Sequence, residues 1–173
     1  MNWLSWIFIC LLSVSFTVDA HGPTPQKAKE SIVIDAPIGK VWAVVKEFKE
    51  IAKWHPGITE SSGDASNEAG SVRKLTLSNG GTLEESLDYY SDSDYEYSYR
   101  LKTENVEAFP VSFYTASIKL TENDGKTLVQ WKSRFYRGDT GNFPTEKLND
   151  AAAVKAMSEF IKQGLEGLKA ELE

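Results

Sequence analysis

The sequence contains a single cysteine, Cys10, which lies in an apolar stretch at the amino terminus. A nucleophilic cysteine, a disulfide framework and a thiolate metal site are therefore excluded for the rest of the chain. Histidine is almost as rare, with only His21 and His55, and the sequence suggests no serine-histidine-aspartate set. Without crosslinks, the fold must be stabilised by burial of its apolar side chains.

Basic runs and phosphate-cradling glycine loops are also missing. The formal net charge is −6 at pH 7, and no stretch concentrates lysine or arginine. The sequence therefore predicts no basic patch, and we expect nucleic acid and anionic membrane surfaces to be poor partners. Gly80-Gly81 follows Asn79 between two alternating segments, which is typical of a hairpin and not of a nucleotide site.

An apolar run at the amino terminus ends in the small residue Ala20. This pattern is typical of a secretory signal peptide, and we expect cleavage after Ala20 and a periplasmic mature protein. The alternative is an uncleaved membrane anchor, although the run is short for a span of about 20 residues. The expected organisation is a signal peptide over 1–20, an N-terminal extension over 21–30 and one domain over 31–173, without stable membrane anchoring after cleavage.

The carboxyl-terminal stretch from Leu148 to Leu172 carries the longest helical pattern. Its apolar residues recur at steps of three or four, which places them on one stripe opposite the charged residues. Gly164 and Gly167 interrupt the pattern at a cost of roughly 1 kcal/mol each relative to alanine. Either both are tolerated surface glycines, or they permit close approach of the sheet or a ligand. The apolar stripe consists of Val154, Met157, Ile161, Leu165, Leu168 and Leu172.

The segment from Ser31 to Tyr136 mostly alternates polar and apolar residues, which predicts strands. Ile32 and Ile34 mark the first strand, two short helices follow, and about six further strands precede the long helix. This order predicts an α+β fold in which a curved antiparallel sheet surrounds the last helix.

A choice of register at the hairpin around Asn79-Gly80-Gly81 decides which side chains face inward. A three-residue loop over these positions places Leu77 opposite Leu83 and Leu75 opposite Glu85, whereas a two-residue turn mixes leucine and charged residues on both faces. We expect the three-residue loop. Arg73 and Glu85 then become diagonal neighbours on the inner face, within side-chain reach.

The predicted inner face mixes aromatic rings with polar groups, as ligand pockets do. The alternative is an ordinary core in which Arg73 pairs with Glu85 and the tyrosines serve packing. His55 is a conceivable general base because histidine titrates near neutrality, although a histidine at a helix end is more often a cap or a surface residue. The candidate cavity residues are Arg73, Leu75, Glu85, Tyr97, Tyr99, Tyr114, Trp131, Met157 and Phe160.

Cleavage after Ala20 would make His21 the amino terminus of the mature chain. Its α-amine and imidazole could then chelate copper, a metal that imidazole suits. The chain offers only one other histidine, so a complete site would need carboxylate or water ligands. His21 is thus a weak metal candidate, and the sequence predicts no other metal site.

Seven stretches of the sequence form a pattern that is shared with a known family. They are HGPTPQK from His21, DAPIGKVWAVVKEF from Asp35, WHPGI from Trp54, LSNGGTLEESL from Leu77, YSYR from Tyr97, VQWKSRFYRG from Val129 and LNDAAAVKA from Leu148. In these stretches the chain resembles the helix-grip, START-like superfamily of polyketide cyclase/dehydrase and lipid transport proteins, also called SRPBCC. Within it, the chain is most similar to the MxaD-type periplasmic proteins of methylotrophic bacteria.

The resemblance implies a birch-pollen-allergen-like fold with an apolar cavity between sheet and last helix. It also implies a non-catalytic accessory role in methanol oxidation, aiding electron transfer from methanol dehydrogenase to its cytochrome c, with no catalytic residues and no cofactor. Two alternatives stay open: a carrier of a lipid or small hydrophobic ligand, and a cyclase-like enzyme that uses Arg73, Glu85 or a pocket tyrosine.

Overall fold

A computed structural model of the protein describes residues 22–173. One seven-stranded antiparallel sheet, with strand order β1-β7-β6-β5-β4-β3-β2, curls around the long helix α2. The predicted α+β helix-grip fold is confirmed. The elements are β1 Gln26–Ile34, α1 Ile38–Val45, a 3-10 helix Phe48–Lys53, β2 Ile58–Gly63, β3 Val72–Leu77, β4 Thr82–Ser91, β5 Glu96–Thr103, β6 Val111–Asn123, β7 Lys126–Arg137, a 3-10 turn Glu146–Leu148 and α2 Asp150–Leu172.

The first strand begins earlier than its apolar residues indicate. β1 starts at Gln26 and pairs with β7 from Gln26 opposite Phe135 to Ile34 opposite Thr127. Residues 26–30, expected in an N-terminal extension, therefore belong to the sheet. The expected signal peptide and His21 lie outside the described residues. No helix within residues 22–173 is long and apolar enough to cross a membrane.

Helix α2 begins and packs as its sequence predicts. The side chain of Asn149 caps the helix by accepting a hydrogen bond from the Ala152 N–H, and Asp150 places a negative charge in the first turn, where it suits the helix dipole. The apolar stripe faces the sheet, and Val154 at its start is only partly buried. The buried members are Met157, Ile161, Leu165, Leu168 and Leu172.

Gly164 and Gly167 let α2 approach the segment Trp54–Pro56 closely. A Cβ atom at Gly164 would lie 2.6 Å from both His55 Cδ2 and Trp131 Cζ3, closer than real Cβ contacts occur. A Cβ atom at Gly167 would collide with the Trp54 carbonyl oxygen and lie 2.6 Å from Pro56 Cδ. Of the two expectations for these glycines, close approach is therefore correct. The sheet provides one neighbour of Gly164, Trp131 of β7, whereas Gly167 faces a segment outside the sheet and not the sheet or ligand that was expected.

The β3–β4 hairpin differs from the expected register by two residues. Arg73 lies directly opposite Glu85, and Leu75 lies opposite Leu83. The three-residue loop is Ser78–Gly80, with Gly80 at a φ of 84°, which glycine adopts without strain. A shift of two residues leaves every side chain on the face expected for it, because side chains alternate along a strand. The predicted faces are thus right, and the expected diagonal placement of Arg73 and Glu85 is wrong.

The expectation of no basic patch is also wrong. Lys27 and Lys29 of β1 and Lys132 and Arg134 of β7 are all exposed on the outer face of the sheet. Cations at alternate positions of two strands form no basic run in the sequence, yet the pairing of β1 with β7 brings them together. The expectation on nucleic acid and membranes stays a prediction.

Alanine substitution of two helical glycines should have opposite effects on stability. Gly167→Ala should lower the free energy of unfolding by about 1–3 kcal/mol, because the new methyl group overpacks against Trp54 and Pro56. Gly39→Ala in α1 meets no atom within 4 Å, so it should raise stability by up to about 1 kcal/mol. Urea denaturation of both variants measures the difference. Equal effects would mean that α2 does not contact the Trp54–Pro56 segment as described.

Candidate ligand-binding site

A buried ion pair occupies the inner face of the sheet. Arg73 Nε donates a hydrogen bond to Glu85 Oε2 at 2.6 Å, and both side chains are 1% exposed. They meet because β3 and β4 place the two residues directly opposite each other. Burial is the largest single influence and lowers the pKa of Arg73, but the charge and hydrogen bond of Glu85, together with smaller effects of Tyr97 and Tyr99, raise that pKa above its ordinary value. Arg73 therefore stays charged.

Phe48 holds the Arg73 guanidinium from a second side. Its backbone carbonyl accepts a hydrogen bond from Arg73 Nη1 at 2.6 Å. Its ring lies 4.0 Å from Arg73 Cζ, and the ring of Tyr99 lies 4.8 Å away on another side. Cation–π contacts of this kind strengthen when they are desolvated. Phe48 was not among the candidate residues, because its helical spacing indicated only packing and the sequence gives no signal for a carbonyl contact.

Tyr114 of β6 completes the coordination of the carboxylate by donating its hydroxyl hydrogen to Glu85 Oε1. Burial, followed by the nearby charge of Glu85, raises the pKa of Tyr114 well above its ordinary value. The phenol is thus protonated and serves as a donor. Glu85 thus accepts a hydrogen bond on each of its oxygens and is held from two sides.

Two further tyrosines lie beside this network. Trp131 Nε1 donates to the Tyr99 hydroxyl at 3.0 Å, and burial raises the pKa of Tyr99 well above its ordinary value. Burial raises the pKa of Tyr97 to about 12 against the opposing charge of Arg73. The Tyr97 hydroxyl and Arg73 Nη2 have no hydrogen-bond partner among the described residues. Trp54 Nε1, in the same core, also lacks a partner among the described residues. These three polar groups remain able to bind a water molecule or a polar ligand group.

His55 is buried, contrary to the expectation of a surface or cap residue. Its Nε2–H donates to the Phe160 carbonyl oxygen at 3.0 Å, and its Nδ1 accepts from the Gly57 N–H at 3.0 Å. Burial is the main cause that lowers its pKa from 6.5 to about 4. At neutral pH the imidazole is therefore uncharged, and both of its nitrogen atoms already have partners.

Aromatic rings fill much of the space in which the sequence predicts a cavity. Phe160 of α2 packs on His55 with ring centroids 4.2 Å apart, on Phe109 at 5.4 Å and on Trp131 at 5.8 Å. The remaining candidates Leu75 and Met157 are buried in the same core. All nine candidate residues thus lie on the inner face of the sheet or on the side of α2 that faces it. They form a packed cluster and not the lining of an open cavity.

A cleft opens at the rim of this cluster. Its volume is about 230 Å³, and it lies between α2 and the loops that follow β3 and β5. Phe160 and Phe109 form its inner wall, so they separate the cleft from the interior. Sequence reasoning found Phe160 but missed Phe109, because the adjacent Pro110 indicated only a break between strands.

Metal-binding residues do not converge near this cleft. Within residues 22–173, no group of three or more histidine, cysteine, aspartate or glutamate side chains is placed to hold a metal ion. His21, the weak copper candidate, lies outside the described residues, and its role stays a prediction.

The family model for polyketide cyclase / dehydrase and lipid transport matches residues 25–173. The chain belongs to this family. The match begins beside the start of β1 and includes α2, so it covers the whole helix-grip domain. The family description combines enzymes with lipid carriers, and it therefore does not by itself distinguish catalysis from binding.

Solved structures share this fold. The protein XoxI from Bacillus cereus is 24% identical, with a TM-score of 0.71 over 84% of this chain and 94% of that one. An uncharacterised protein from Bacillus thuringiensis is 23% identical, with a TM-score of 0.71 over 85% and 98%. A protein from Nitrosospira multiformis is 22% identical, with a TM-score of 0.66 over 86% and 97%. No curated protein matches the chain.

The stability of variants that lack Arg73 or Glu85 should show whether the two residues form a buried structural pair or an exposed one. Arg73→Met and Glu85→Leu should each lower the free energy of unfolding by about 3–5 kcal/mol, because each leaves an unpaired buried charge. The double variant should recover much of the loss. In the double variant the Tyr114 hydroxyl has lost its acceptor, Glu85. Adding Tyr114→Phe removes this unpaired hydroxyl, so the triple variant should recover more of the stability. Chemical denaturation of the series measures these differences.

The pair between Arg100 and Asp88 provides the control. It has a similar distance of 2.7 Å, but Arg100 is 61% exposed. Arg100→Met should cost less than about 1 kcal/mol. If Arg73→Met costs no more than Arg100→Met, the interior pair is accessible to water and the described burial is wrong.

Acid should destabilise the protein partly through His55. Because the pKa of His55 is lowered from 6.5 to about 4, the unfolded chain binds more protons between these pH values. His55 contributes about 3 kcal/mol to the free energy of unfolding. This contribution is complete above about pH 6.5 and is lost as the pH falls toward 4. Urea denaturation at several pH values should show a shallower acid loss for His55→Gln than for the wild type. A ring-proton NMR titration with a midpoint near 6.5 would contradict the described burial.

Proposed function

We propose that the protein is a non-catalytic binding protein, exported to the periplasm, that assists electron transfer from methanol dehydrogenase to its cytochrome c. The observation that carries the non-catalytic part is the state of the two interior groups able to act as a base. Glu85 is held by Arg73 and Tyr114, and His55 is held by Phe160 and Gly57. A general base must lie within hydrogen-bond reach of its substrate, whereas both of these groups are buried and bonded within the protein.

The cellular role in this proposal rests on the sequence. The MxaD-type resemblance supports it through the N-terminal stretch HGPTPQK from His21, the WHP segment from Trp54 and the FYRG segment from Phe135. The apolar amino-terminal run that ends at Ala20 supports export. An accessory role requires a surface that contacts the partner proteins. It requires neither a cavity nor a catalytic group in the interior.

A second candidate, a carrier of a small hydrophobic ligand, is favoured by the cleft beside Phe160. A volume of about 230 Å³ is below the roughly 300–1,000 Å³ of ordinary ligand sites. Displacement of Phe160 would join the cleft to the aromatic cluster and enlarge it. The unpartnered Tyr97 hydroxyl and Arg73 Nη2 would then supply polar contacts for a ligand headgroup.

Reconstituted electron transfer tests the proposal. Methanol-dependent reduction of cytochrome c by purified methanol dehydrogenase should become faster when the protein is added, with saturation at a fixed stoichiometry. Ala156→Trp should fill the cleft, which Ala156 lines, and should leave the acceleration unchanged. Ala170→Trp, at an exposed position of the same helix, is the matched control for a bulky substitution.

The carrier predicts a different result in the same samples. Native mass spectrometry would show a retained apolar ligand in the wild type and in Ala170→Trp, and its loss from Ala156→Trp. The accessory role is wrong if the protein leaves the rate of cytochrome c reduction unchanged at every concentration. Turnover of an added substrate by the protein alone would contradict the absence of catalysis.

A further inference from the structure

Four exposed cations form a compact cluster on the outer face of the sheet. Lys27 of β1 lies directly opposite Arg134 of β7, and Lys29 lies directly opposite Lys132. Like charges opposite each other on neighbouring strands destabilise a sheet. None of the four takes part in an ion pair among residues 22–173. This concentration contrasts with the net charge of −6 of the whole chain.

A groove of about 470 Å³ runs between these cations, and we call it the basic groove. Its floor includes Ala28, Ala116 and Ser133, which lie side by side on β1, β6 and β7. Because side chains alternate along a strand, these three residues turn their side chains inward and contribute their backbone to the floor. Hydroxyl groups extend the groove across the sheet, from Ser117 beside Lys132 to Ser98 on β5. The groove is open to solvent along its length. Tyr99 also lines it, and because the Tyr99 ring contacts Arg73 on the inner face, the thickness of the sheet lies between the groove and the interior cluster.

Protection of a sheet edge does not account for the basic groove. Lysines on an edge strand discourage pairing with other chains, and this could explain Lys27 and Lys29 on β1. Lys132 and Arg134 lie on β7, which is paired on both sides, so they protect no edge. Internal charge balance does not account for the groove either. The one acidic residue of its lining, Asp88, is bound by Arg100 Nε at 2.7 Å.

We propose that the basic groove binds an extended acidic segment of a partner protein, along β1 and β7. Alternate residues of a strand are about 6.8 Å apart, and neighbouring strands are about 4.8 Å apart. The four cations therefore form a rectangle of about 5 by 7 Å. Carboxylates at alternate positions of an extended segment repeat with the same spacing of about 7 Å, so each can meet one opposed pair of cations.

The shape of the groove favours a peptide over a small organic anion. Small-ligand sites enclose most of their ligand, whereas this groove is a shallow channel on a sheet surface. Its side walls are lysine and arginine stems, which offer methylene groups to the peptide backbone and keep the charges at the rim. This inference concerns the outer surface of the sheet, and it does not depend on a role in methanol oxidation.

A fluorescein-labelled peptide with glutamate at alternate positions tests the inference by fluorescence anisotropy. The wild type should bind it at about 20 mM salt and lose affinity steeply toward about 500 mM, because exposed charges are screened. The double reversal Lys132→Glu with Arg134→Glu should weaken binding at least about tenfold. The control Lys74→Glu with Lys147→Glu changes the net charge equally at exposed positions outside the groove, and it should alter affinity less than about twofold.

NMR locates the peptide and guards against misfolded variants. Backbone amide shifts on addition of the peptide should concentrate at Ala28, Ala116 and Ser117, and spectra of both double variants should retain the dispersion of the wild type. Absence of peptide binding by the wild type, or equal loss in the control, would overturn the inference. It would also be overturned if vesicles containing phosphatidylglycerol bind at the groove and the peptide does not. Self-association that only the groove variant abolishes would assign the groove to a second copy of this chain instead.

Discussion

The Arg73–Glu85 pair imposes the constraint on which the interior depends. Two charges removed from water require partners for their remaining polar atoms, and the fold supplies them from distant parts of the chain. Tyr114 of β6 donates to Glu85, while the Phe48 carbonyl accepts from Arg73. One ion pair thus fixes β3 and β4 in register and ties both to β6 and to the 3-10 helix. A slip by one residue would send both charges to the opposite face of the sheet.

The long helix meets this interior through the segment Trp54–Pro56. Gly164 and Gly167 remove the side chains that would hold α2 away, so His55 can pack between the helix and Trp131. Phe160 closes the remaining space. A family fold that can enclose a cavity is here packed with rings, and the open volume lies at the rim instead. Two of its buried acid–base groups, Glu85 and His55, already have hydrogen-bond partners, whereas the Tyr97 hydroxyl has none among the described residues.

Charges serve opposite purposes on the two faces of the sheet. On the inner face, every charge is balanced by a near neighbour, which is the only arrangement that a low dielectric tolerates. On the outer face, Lys27, Lys29, Lys132 and Arg134 remain unbalanced among the described residues. Water screens the repulsion between these exposed cations. The cluster nevertheless creates a local positive field on a protein of negative net charge.

The sequence alone determined the period of each element, and with it the fold class and the face on which most side chains lie. The stripe of α2 and the inward position of Arg73 and Glu85 followed from periodicity, since a two-residue error in register preserves the faces. Only the tertiary structure decided what those faces contact. The Phe48 carbonyl, the burial of His55 and the basic groove each join segments that are distant in the chain. Local patterns carry no information on such contacts, because strand order and helix packing create them.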